Sequence, residues 1–432
     1  MDMKRWIIGS VIGVALILLG VGIYFAAKSR PALPGAQTGT KGMAQGTTAT
    51  TAAGWLHTSG TKILDQNGNE FRIASINIHN FNKNAIGCTE TGTVPDQQTI
   101  DNISSVGFNT VRLHINWGHL EPEAPTAGAN GQLEHHWNEQ YLANVDQAVS
   151  MFAQKNIKVI MAMHRGEVGD GGDTNVQGAS TTKASKSAKS VGKSHKQKQT
   201  CVPGIPGWAL PESITQSKAV IDCSFFLNKQ ESGAPEAPLD GMSEAWKNVA
   251  ARYANNQNVI GFDMLNEPYP PKGNLCTAQT MNLNGAFTKI GNAIQSANPN
   301  ALLVFEDSSS GAAKQGNFTL TTPPPFSNSV YSFHLYHQLS FADGKKIVDN
   351  FWSRAKQWNV PLWMAEFNAY GYQAPGSGKD QDSNWRSDTI QTLQYLKQQD
   401  ISWGVSGYTG GNRIVENGQL RTDLVDAIKT GF

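Results

Sequence analysis

Two glutamates lie at or just after the ends of short apolar runs, and such a pair could cleave a glycosidic bond. Glu267 comes two residues after the run Val259–Leu265, and Glu366 ends the run Pro361–Glu366. Hydrolysis of a glycosidic bond uses one protonated carboxyl group as an acid and one ionised carboxylate as a nucleophile or base. We therefore expect the surroundings of the two glutamates to push their pKa values apart.

Other polar side chains at the ends of apolar runs could produce this difference. The Arg112 guanidinium would hold Glu366 ionised, because a fixed cation lowers the pKa of a nearby carboxyl group. Tyr336 could donate a hydrogen bond to the same carboxylate, while Glu267, close to an ionised partner, would have the raised pKa that a general acid requires. Asn266 could bind a sugar hydroxyl group. The residues expected around the two glutamates are Arg112, His164, Asn266, His334 and Tyr336.

The apolar runs that carry these residues alternate with amphipathic stretches. The runs are Phe71–Ile78, Asn109–Ile115, Ile157–Met163, Val259–Leu265, Ala301–Phe305, Ser329–His334, Pro361–Glu366 and Ile401–Ser406. Several are near-continuous, which is typical of parallel strands covered on both faces. Helical periodicity fills most of the gaps, as in Asn138–Lys155, Gly241–Ala254, Met281–Ala297, Lys345–Gln357 and Asp388–Gln399. Eight such units predict a (β/α)8 TIM barrel, whose catalytic residues lie at the carboxyl ends of the strands.

Composition and motifs exclude several other classes of protein. With 39% hydrophobic and 16% charged residues, the chain is neither largely disordered nor a coiled coil. A formal net charge of +1 gives no sign of a nucleic-acid partner. A doubly wound open sheet is the alternative fold. No G-x-G-x-x-G or G-x-x-x-x-G-K-S/T motif follows any apolar run, which argues against a nucleotide-binding version of that sheet.

The N-terminal residues have a different composition from the rest of the chain. Trp6–Ala27 is uncharged, apolar and long enough to cross a bilayer as a helix, whereas a signal peptide has a shorter apolar region and a small-residue cleavage site. We expect residues 1–28 to be a single-pass membrane anchor, with a cleaved signal peptide as the alternative. Residues 29–53, rich in Gly, Thr, Ala and Pro, predict a flexible linker. The catalytic domain, residues 54–432, would then lie outside the cell membrane, or be secreted after cleavage.

A long segment separates the third apolar run from the next helical stretch. Its middle, Gly178–Thr200, contains six lysines and no acidic residue. We expect a disordered basic insertion at about residues 168–200. It lacks the interleaved aromatic residues of a nucleic-acid-binding segment, so attraction to anionic lipid head groups or another anionic surface is favoured over nucleic acid.

Four cysteines, Cys88, Cys201, Cys223 and Cys276, follow the ends of predicted strands. They allow three disulfide pairings, and none has the C-x-x-C spacing of a zinc site. One arrangement would join Cys201 to Cys223 and Cys88 to Cys276. Disulfides fit a domain outside the cell, and free buried thiols are the alternative.

The ordered motifs resemble those of glycoside hydrolase family 5, the cellulase-like family of retaining (β/α)8 enzymes in clan A. The stretches that carry the resemblance are Gly107–Leu113, Trp117 with Leu120–Pro122, Asn258–Gly261, Asn266–Pro268, His334–Tyr336 and Trp363–Phe367. The resemblance runs from about Gly60 to the C-terminus. It implies that Glu267 is the acid/base and Glu366 the nucleophile. It also implies that Arg112, His164, Asn266, His334 and Tyr336 surround the cleaved bond, and that no cofactor or catalytic metal is used. The sequence agrees, because it has no H-x-H or H-E-x-x-H pair.

The sequence departs from the family pattern at the end of the eighth strand. The family usually places a stacking Trp there, and Ser406 stands at that position. Trp403 and Tyr408 are the candidate substrate-binding aromatics in this region, although Trp403 could instead face the barrel wall. Further candidates for stacking on sugar faces are Trp117, Trp208, Tyr269, Tyr370 and Tyr372.

These observations predict a monomeric, membrane-anchored retaining glycoside hydrolase that acts on a carbohydrate substrate. An endo-acting enzyme on a β-1,4-glucan or mannan type of polysaccharide is favoured. A glycolipid-cleaving endoglycosidase of the same family is one alternative, because an anchor and a basic insertion would place the site near lipid. A catalytically weak carbohydrate-binding barrel is the other, suggested by Ser406 in place of an aromatic residue.

Overall fold

The structure is a computed structural model that describes residues 54–79, 81, 92–164, 204–209, 223–268, 280–307, 318–336, 340–368, 382–408 and 414–432. Within these ranges no helix combines the length and apolar composition needed to span a membrane. The predicted anchor (1–28), linker (29–53) and basic insertion (168–200) all lie outside the described residues and stay predictions.

Eight parallel strands close into a barrel, which confirms the predicted (β/α)8 fold. The strands are β1 (Ala74–Ile78), β2 (Thr110–Ile115), β3 (Lys158–Met163), β4 (Val259–Asp263), β5 (Leu302–Glu306), β6 (Ser329–Leu335), β7 (Leu362–Phe367) and β8 (Ser402–Val405). Their order in space is their order along the chain, and β8 pairs with β1 to close the barrel. All eight carboxyl ends therefore meet at one mouth.

Helices connect and cover the strands. They are α1 (Gln97–Val106), α2 (Glu139–Ala153), α3 (Pro238–Arg252), α4 (Leu283–Ala297), α5 (Phe341–Trp358), α6 (Trp385–Gln398) and α7 (Thr422–Ile428). Short helical turns span Trp117–Leu120, Gly207–Ala209 and Lys429–Gly431. Small antiparallel hairpins pair His57–Ser59 with Lys62–Leu64, Thr126–Ala127 with Leu133–Glu134, and Val415–Glu416 with Gln419–Leu420.

Capping side chains decide where several helices begin. The Asn138 side chain accepts a hydrogen bond from the Tyr141 N–H and starts α2. The Ser340 side chain accepts a hydrogen bond from the Asp343 N–H and starts α5 at Phe341. The periodicity predicts that this helix begins at Lys345, about one turn later. Apolar periodicity marks only the buried face of a helix, so it misses a polar first turn.

Apolar residues fill two layers of the barrel. The larger layer lies between the strands and the helices, where Trp246 on α3 donates from its indole N–H to the Met264 carbonyl over 3.0 Å. The smaller layer lies inside the barrel. It includes Leu56, just before the first hairpin, and Ile63 within that hairpin. That hairpin hydrogen-bonds to Asn328, just before β6, so it closes the amino end of the barrel. The mouth at the carboxyl end is thereby left for polar groups.

Strand β7 contains one extra residue. The register pairs Phe333 of β6 with Met364 of β7, but then pairs His334 with Glu366, so that Ala365 has no counterpart. Side chains alternate between the two faces of a strand, and an extra residue shifts that alternation by one. Glu366 therefore faces the barrel interior, where regular alternation after Ala365 would have turned it toward the helices.

Cys223 is disulfide-bonded. The alternative of a free buried thiol is therefore wrong for this cysteine. The other three cysteines, Cys88, Cys201 and Cys276, lie outside the described residues, so the pairing stays a prediction.

Candidate active site

Glu366 lies at the end of β7 and is buried among hydrogen-bond donors. An Arg112 Nη1–H donates to its Oε1, and the Tyr336 hydroxyl donates to its Oε2. Burial by itself would raise the pKa of the Glu366 carboxyl group. The positive charges of His334 and Arg112 and the hydrogen bond from Tyr336 outweigh burial and hold that pKa well below its usual value. The group is therefore an ionised carboxylate at neutral pH.

Arg112, on β2, is fully buried and contacts five polar side chains, among them His114 and Glu366. Its Nε donates to Asp263 Oδ2 over 2.7 Å, its Nη2 to Asn266 Oδ1 over 2.8 Å, and its Nη1 to Asn77 Oδ1 over 3.0 Å. Burial raises the pKa of Asp263, and the charge of Arg112 opposes that rise. Arg112 thus forms ion pairs with two buried acidic side chains, Asp263 and Glu366.

Glu267 lies in the Asn-Glu-Pro turn that follows β4. Its backbone has a φ of 44°, in the left-handed region, and its N–H donates to Glu306 Oε2 over 2.9 Å. Its carboxyl Oε1 lies 2.7 Å from Nδ1 of His334. The side chain is 13% exposed, against 7% for Glu366. Of the two glutamates, Glu267 is the one with more access to solvent at the mouth.

His334, near the end of β6, stands between three carboxyl groups. Its Nδ1 lies 2.7 Å from Glu267 Oε1, 3.6 Å from Glu306 Oε1 and 3.7 Å from Glu366 Oε2. Burial would lower the pKa of the imidazole, but the surrounding carboxylates raise it to about 9. One oxygen of Glu267, one oxygen of Glu366 and one nitrogen of His334 all lie within 4.8 Å of one another. The two glutamates predicted to do chemistry therefore face each other.

His334 and Glu306 have higher pKa values in the folded protein than in the unfolded chain. They therefore keep their protons up to a higher pH when the protein is folded. Burial raises the pKa of Glu306 to about 8, and that of His334 is about 9, against ordinary values of 4.5 and 6.5. Stabilisation from a group with a raised folded-state pKa is complete below the unfolded-state pKa and is lost as pH rises through the folded-state pKa. The contribution of Glu306 should be lost between about pH 4.5 and pH 8 and that of His334 between about pH 6.5 and pH 9, so we expect the melting temperature to fall as pH rises across this range.

Thermal melts at closely spaced pH values measure this dependence. A His334→Gln variant lacks the imidazole that keeps its proton in the folded state, so the fall in melting temperature between about pH 6.5 and pH 9 should be shallower. A variant with the slope of the original chain would contradict this assignment.

Three histidines form a second group beside Arg112. His114 Nε2 lies 2.7 Å from Asn77 Oδ1, and its ring stacks on His164 at 4.5 Å with an interplanar angle of 17°. His79 meets the edge of His114 at 4.2 Å. Burial, the neighbouring imidazoles and Arg112 lower the pKa of His164 to about 3. Burial and the neighbouring imidazoles also hold the pKa of His114 well below its usual value, so His114 and His164 are neutral.

The histidine group could in principle hold a metal ion, since one nitrogen from each of His79, His114 and His164 lies within 4.8 Å of the others. Metal ligation requires the in-plane lone pairs of the rings to converge on one point. The nearly parallel planes of His114 and His164 direct these lone pairs side by side. The arrangement suits ring stacking better than chelation.

Most of the predicted site residues come together at the mouth. Arg112, Asn266, His334 and Tyr336 surround Glu366 and Glu267, and His164 packs on His114 beside Arg112. The Ser406 hydroxyl hydrogen-bonds to the Tyr336 hydroxyl, so the position at which the family usually has a Trp carries a polar contact to the site. Three buried or partly buried neighbours are absent from the sequence-based set, namely His79, Asp263 and Glu306.

The prediction that Trp403 binds substrate is wrong. Its ring is fully buried and packs on Phe108 and Phe432 in the layer between the barrel and the helices. The Trp403 ring therefore offers no free face to a sugar. Tyr408 is 7% exposed, and its hydroxyl oxygen accepts a hydrogen bond from Asn102 Nδ2 on α1, so its role in substrate binding stays a prediction.

Two of the further aromatic candidates are also structural. Trp117 and Trp208 are buried, and their indole N–H groups donate to the side chain and to the backbone carbonyl of Glu121. Tyr269, Tyr370 and Tyr372 lie outside the described residues.

The family model described as Cellulase (glycosyl hydrolase family 5) matches residues 64–408. Among curated relatives, Endoglucanase 3 of Fibrobacter succinogenes is 23% identical over 273 residues, which cover 49% of this chain and 39% of the relative. An endoglucanase of Paenibacillus polymyxa is 22% identical over 267 residues, covering 60% of this chain and 51% of the relative. The chain thus spans about half or less of the length of these relatives.

Similar solved structures include endo-glycoceramidase II from Rhodococcus sp. in complex with ganglioside GM3. It has a TM-score of 0.61 and 18% identity, covering 86% of this chain and 81% of that one. An endogalactoceramidase has a TM-score of 0.57 and 21% identity, covering 87% and 77%. At these identities the likeness shows the barrel fold.

Proposed function

Because the chain belongs to glycosyl hydrolase family 5, we propose that it hydrolyses β-glycosidic bonds with retention of configuration at the anomeric carbon. The observation that carries this proposal is the distance between the two glutamates, whose nearest oxygens lie within 4.8 Å of each other. Carboxyl groups about 5–5.5 Å apart are typical of retaining enzymes, whereas inverting enzymes leave about 6.5–9.5 Å for a water molecule.

In the first step the Glu366 carboxylate attacks the anomeric carbon. Arg112, His334 and Tyr336 keep this carboxylate ionised until the attack. Glu267 gives its proton to the glycosidic oxygen as the bond from that oxygen to the anomeric carbon breaks. The protonated His334, 2.7 Å from Glu267 Oε1, stabilises the carboxylate that Glu267 becomes.

In the second step a water molecule releases the sugar from Glu366. Glu267, now a carboxylate, accepts a proton from the water while the water oxygen bonds to the anomeric carbon, and the bond to Glu366 breaks. The hydrogen bonds from Arg112 and Tyr336 to Glu366 regain their full strength as the carboxylate recovers its charge, which favours this step.

We expect the first-formed product to have the configuration of the substrate. Proton NMR of the anomeric signals during the first minutes of hydrolysis of an aryl β-glycoside measures this, because the two anomers interconvert only later. A first product of inverted configuration would contradict the two-step mechanism. A Glu366→Gln variant, followed under the same conditions, controls for spontaneous hydrolysis.

A polysaccharide of the β-1,4-glucan or mannan type, cleaved internally, is the favoured substrate. Both curated relatives named above are endoglucanases, which supports this choice. A glycolipid is the second candidate, supported by the predicted anchor and basic insertion and by the endo-glycoceramidase II whose fold this chain shares. Initial rates on soluble β-glucans, mannans and glycosphingolipids, measured side by side, distinguish the two. Binding of a glucan or mannan without any hydrolysis would instead favour a carbohydrate-binding barrel.

The proposed enzyme is a monomer held at the outer face of the cell membrane by residues 1–28. Extraction of the full-length chain from membranes by detergent but not by alkaline carbonate would support an anchored form. Light scattering of the detergent-extracted chain would measure its oligomeric state.

A further inference from the structure

Glu306 is a third buried glutamate at the mouth, and the two steps above do not use it. It is the last residue of β5, between β4, which leads to Glu267, and β6, which carries His334. Its side chain is 1% exposed. A buried carboxyl group is costly unless polar neighbours compensate it, so its contacts indicate what it does there.

The contacts of Glu306 converge on Glu267. One carboxyl oxygen, Oε2, accepts the hydrogen bond from the Glu267 N–H over 2.9 Å. The other, Oε1, lies 3.6 Å from Nδ1 of His334, the nitrogen that contacts the Glu267 carboxyl group at 2.7 Å. Glu306 therefore contacts the Glu267 backbone directly, and it contacts the Glu267 carboxyl group indirectly through His334.

The backbone contact matters because Glu267 has a left-handed conformation. A φ of 44° is unfavourable for a residue with a Cβ atom and persists only where neighbouring groups impose it. The hydrogen bond from the Glu267 N–H to the buried Glu306 Oε2, over 2.9 Å, is a contact that can impose this conformation. Without Glu306, the turn would relax toward ordinary φ values and the Glu267 carboxyl group would leave its position opposite Glu366.

The charges around Glu306 also favour a proton at this edge of the site. Asp263 and Glu267 are like charges nearby, whereas His334 and Arg112 are opposite charges. Burial is the largest influence, and it raises the pKa of the Glu306 carboxyl group to about 8. Proton donation needs a protonated carboxyl group at the mouth, and two adjacent acids next to a protonated His334 can supply one.

We propose that Glu306 is a positioning residue for proton donation, which fixes the left-handed turn at Glu267 and, through His334, the orientation of its carboxyl group. This assignment rests on the proposed role of Glu267 as the acid/base. It predicts a specific kinetic signature, because loss of acid catalysis matters only when the leaving group needs a proton.

The experiment compares Glu306→Ala and Glu306→Gln with the original chain on aryl β-glycosides whose phenols range from activated to unactivated. For Glu306→Ala we expect kcat/KM to fall about 100- to 1000-fold on unactivated phenyl glycosides, and less than about tenfold on dinitrophenyl glycosides. Glutamine keeps an oxygen that can accept the Glu267 N–H, so Glu306→Gln should recover about tenfold or more of the loss on unactivated substrates. A Glu267→Gln variant supplies the reference signature of a missing acid.

Asp307→Asn is the matched control for loss of a buried carboxylate beside β5. Asp307 accepts hydrogen bonds from the Thr319 and Leu320 N–H groups and the Tyr331 hydroxyl, away from Glu267. Its replacement should change the rate on all leaving groups by the same factor. Thermal melts and the stoichiometry of labelling by a fluorinated glycoside that traps Glu366 verify that each variant is folded.

A folded Glu306→Ala variant with an equal loss on every leaving group would overturn the positioning role. So would a Glu306→Gln variant no better than Glu306→Ala. An original chain that is inactive on the whole series would overturn the proposed function, and the role of Glu306 with it. The two failures are therefore distinguishable.

Discussion

Replacement of Glu366 with glutamine should reduce kcat/KM for an activated aryl β-glycoside by about four orders of magnitude or more. Glutamine retains the size of the side chain and can still contact Arg112 and Tyr336, but its amide is a very poor nucleophile. The covalent intermediate therefore does not form. Steady-state rates on a dinitrophenyl glycoside measure the loss, because this leaving group makes the first step independent of Glu267.

Two further variants make the Glu366 prediction specific. Glu366→Ala with added azide should regain activity and release a glycosyl azide of inverted configuration, since azide can occupy the space of the missing carboxylate. Glu121→Gln is the matched control, because Glu121 is also a buried glutamate with hydrogen bonds from Trp117 and His135 but lies outside the site. Near-normal turnover by Glu366→Gln would refute the proposed nucleophile.

Replacement of Arg112 with methionine should lower the free energy of unfolding by about 3–5 kcal/mol, because it leaves buried acids without their cation. Asp263 and Glu366 both lose a direct ion pair with Arg112. The pKa of Glu366 should rise, since Arg112 is one of the charges that hold it down. Its ionised form would then be lost at a higher pH, and the acid limb of the kcat/KM profile should move upward. Urea denaturation and pH–rate profiles measure the two effects.

The Arg112→Lys variant separates charge from geometry. Lysine retains the positive charge but cannot direct donors to Asp263, Asn77, Asn266 and Glu366 at once, so its stability should lie between those of the original chain and Arg112→Met. Adding Asp263→Asn to Arg112→Met should restore part of the lost stability, because it removes one uncompensated acid. Equal stability of the original chain and Arg112→Met would show that this buried network contributes nothing to stability.

The fold and much of the site could be predicted because their signals are local. Continuous apolar runs mark strands buried on both faces, and a polar residue behind such a run is placed at the mouth by the topology of the barrel. The same signal points to Glu306, which directly follows the run Ala301–Phe305. The apolar run stops at Phe305, whereas the strand continues to the polar Glu306, so apolarity alone does not include this residue. Asp263 lies inside an apolar run, where nothing in the sequence shows that Arg112 is its partner.

The orientation of Trp403 illustrates what alternation along a strand can and cannot predict. Ser75 lies against Gly404, which faces the barrel interior, so Trp403 beside it must face the helices. Alternation would have excluded Trp403 from the site once one residue of β8 was oriented. The sequence lacks that reference point, because every residue of β8 is buried and both faces of the strand are covered.

The extra residue in β7 has a consequence for which sequence changes the site can tolerate. The carbonyl oxygen of Ala365 accepts a hydrogen bond from Asn77, and a Cβ atom at Gly404 would come within 2.6 Å of it, so neighbouring strands are shaped around the irregularity. The inward direction of Glu366 depends on the number of residues before it and not on the identity of Ala365. Substitution of Ala365 by another small residue would leave the carboxylate in place. Deletion of one residue there would rotate Glu366, the proposed nucleophile, out of the barrel while every side chain of the proposed site remained in the sequence.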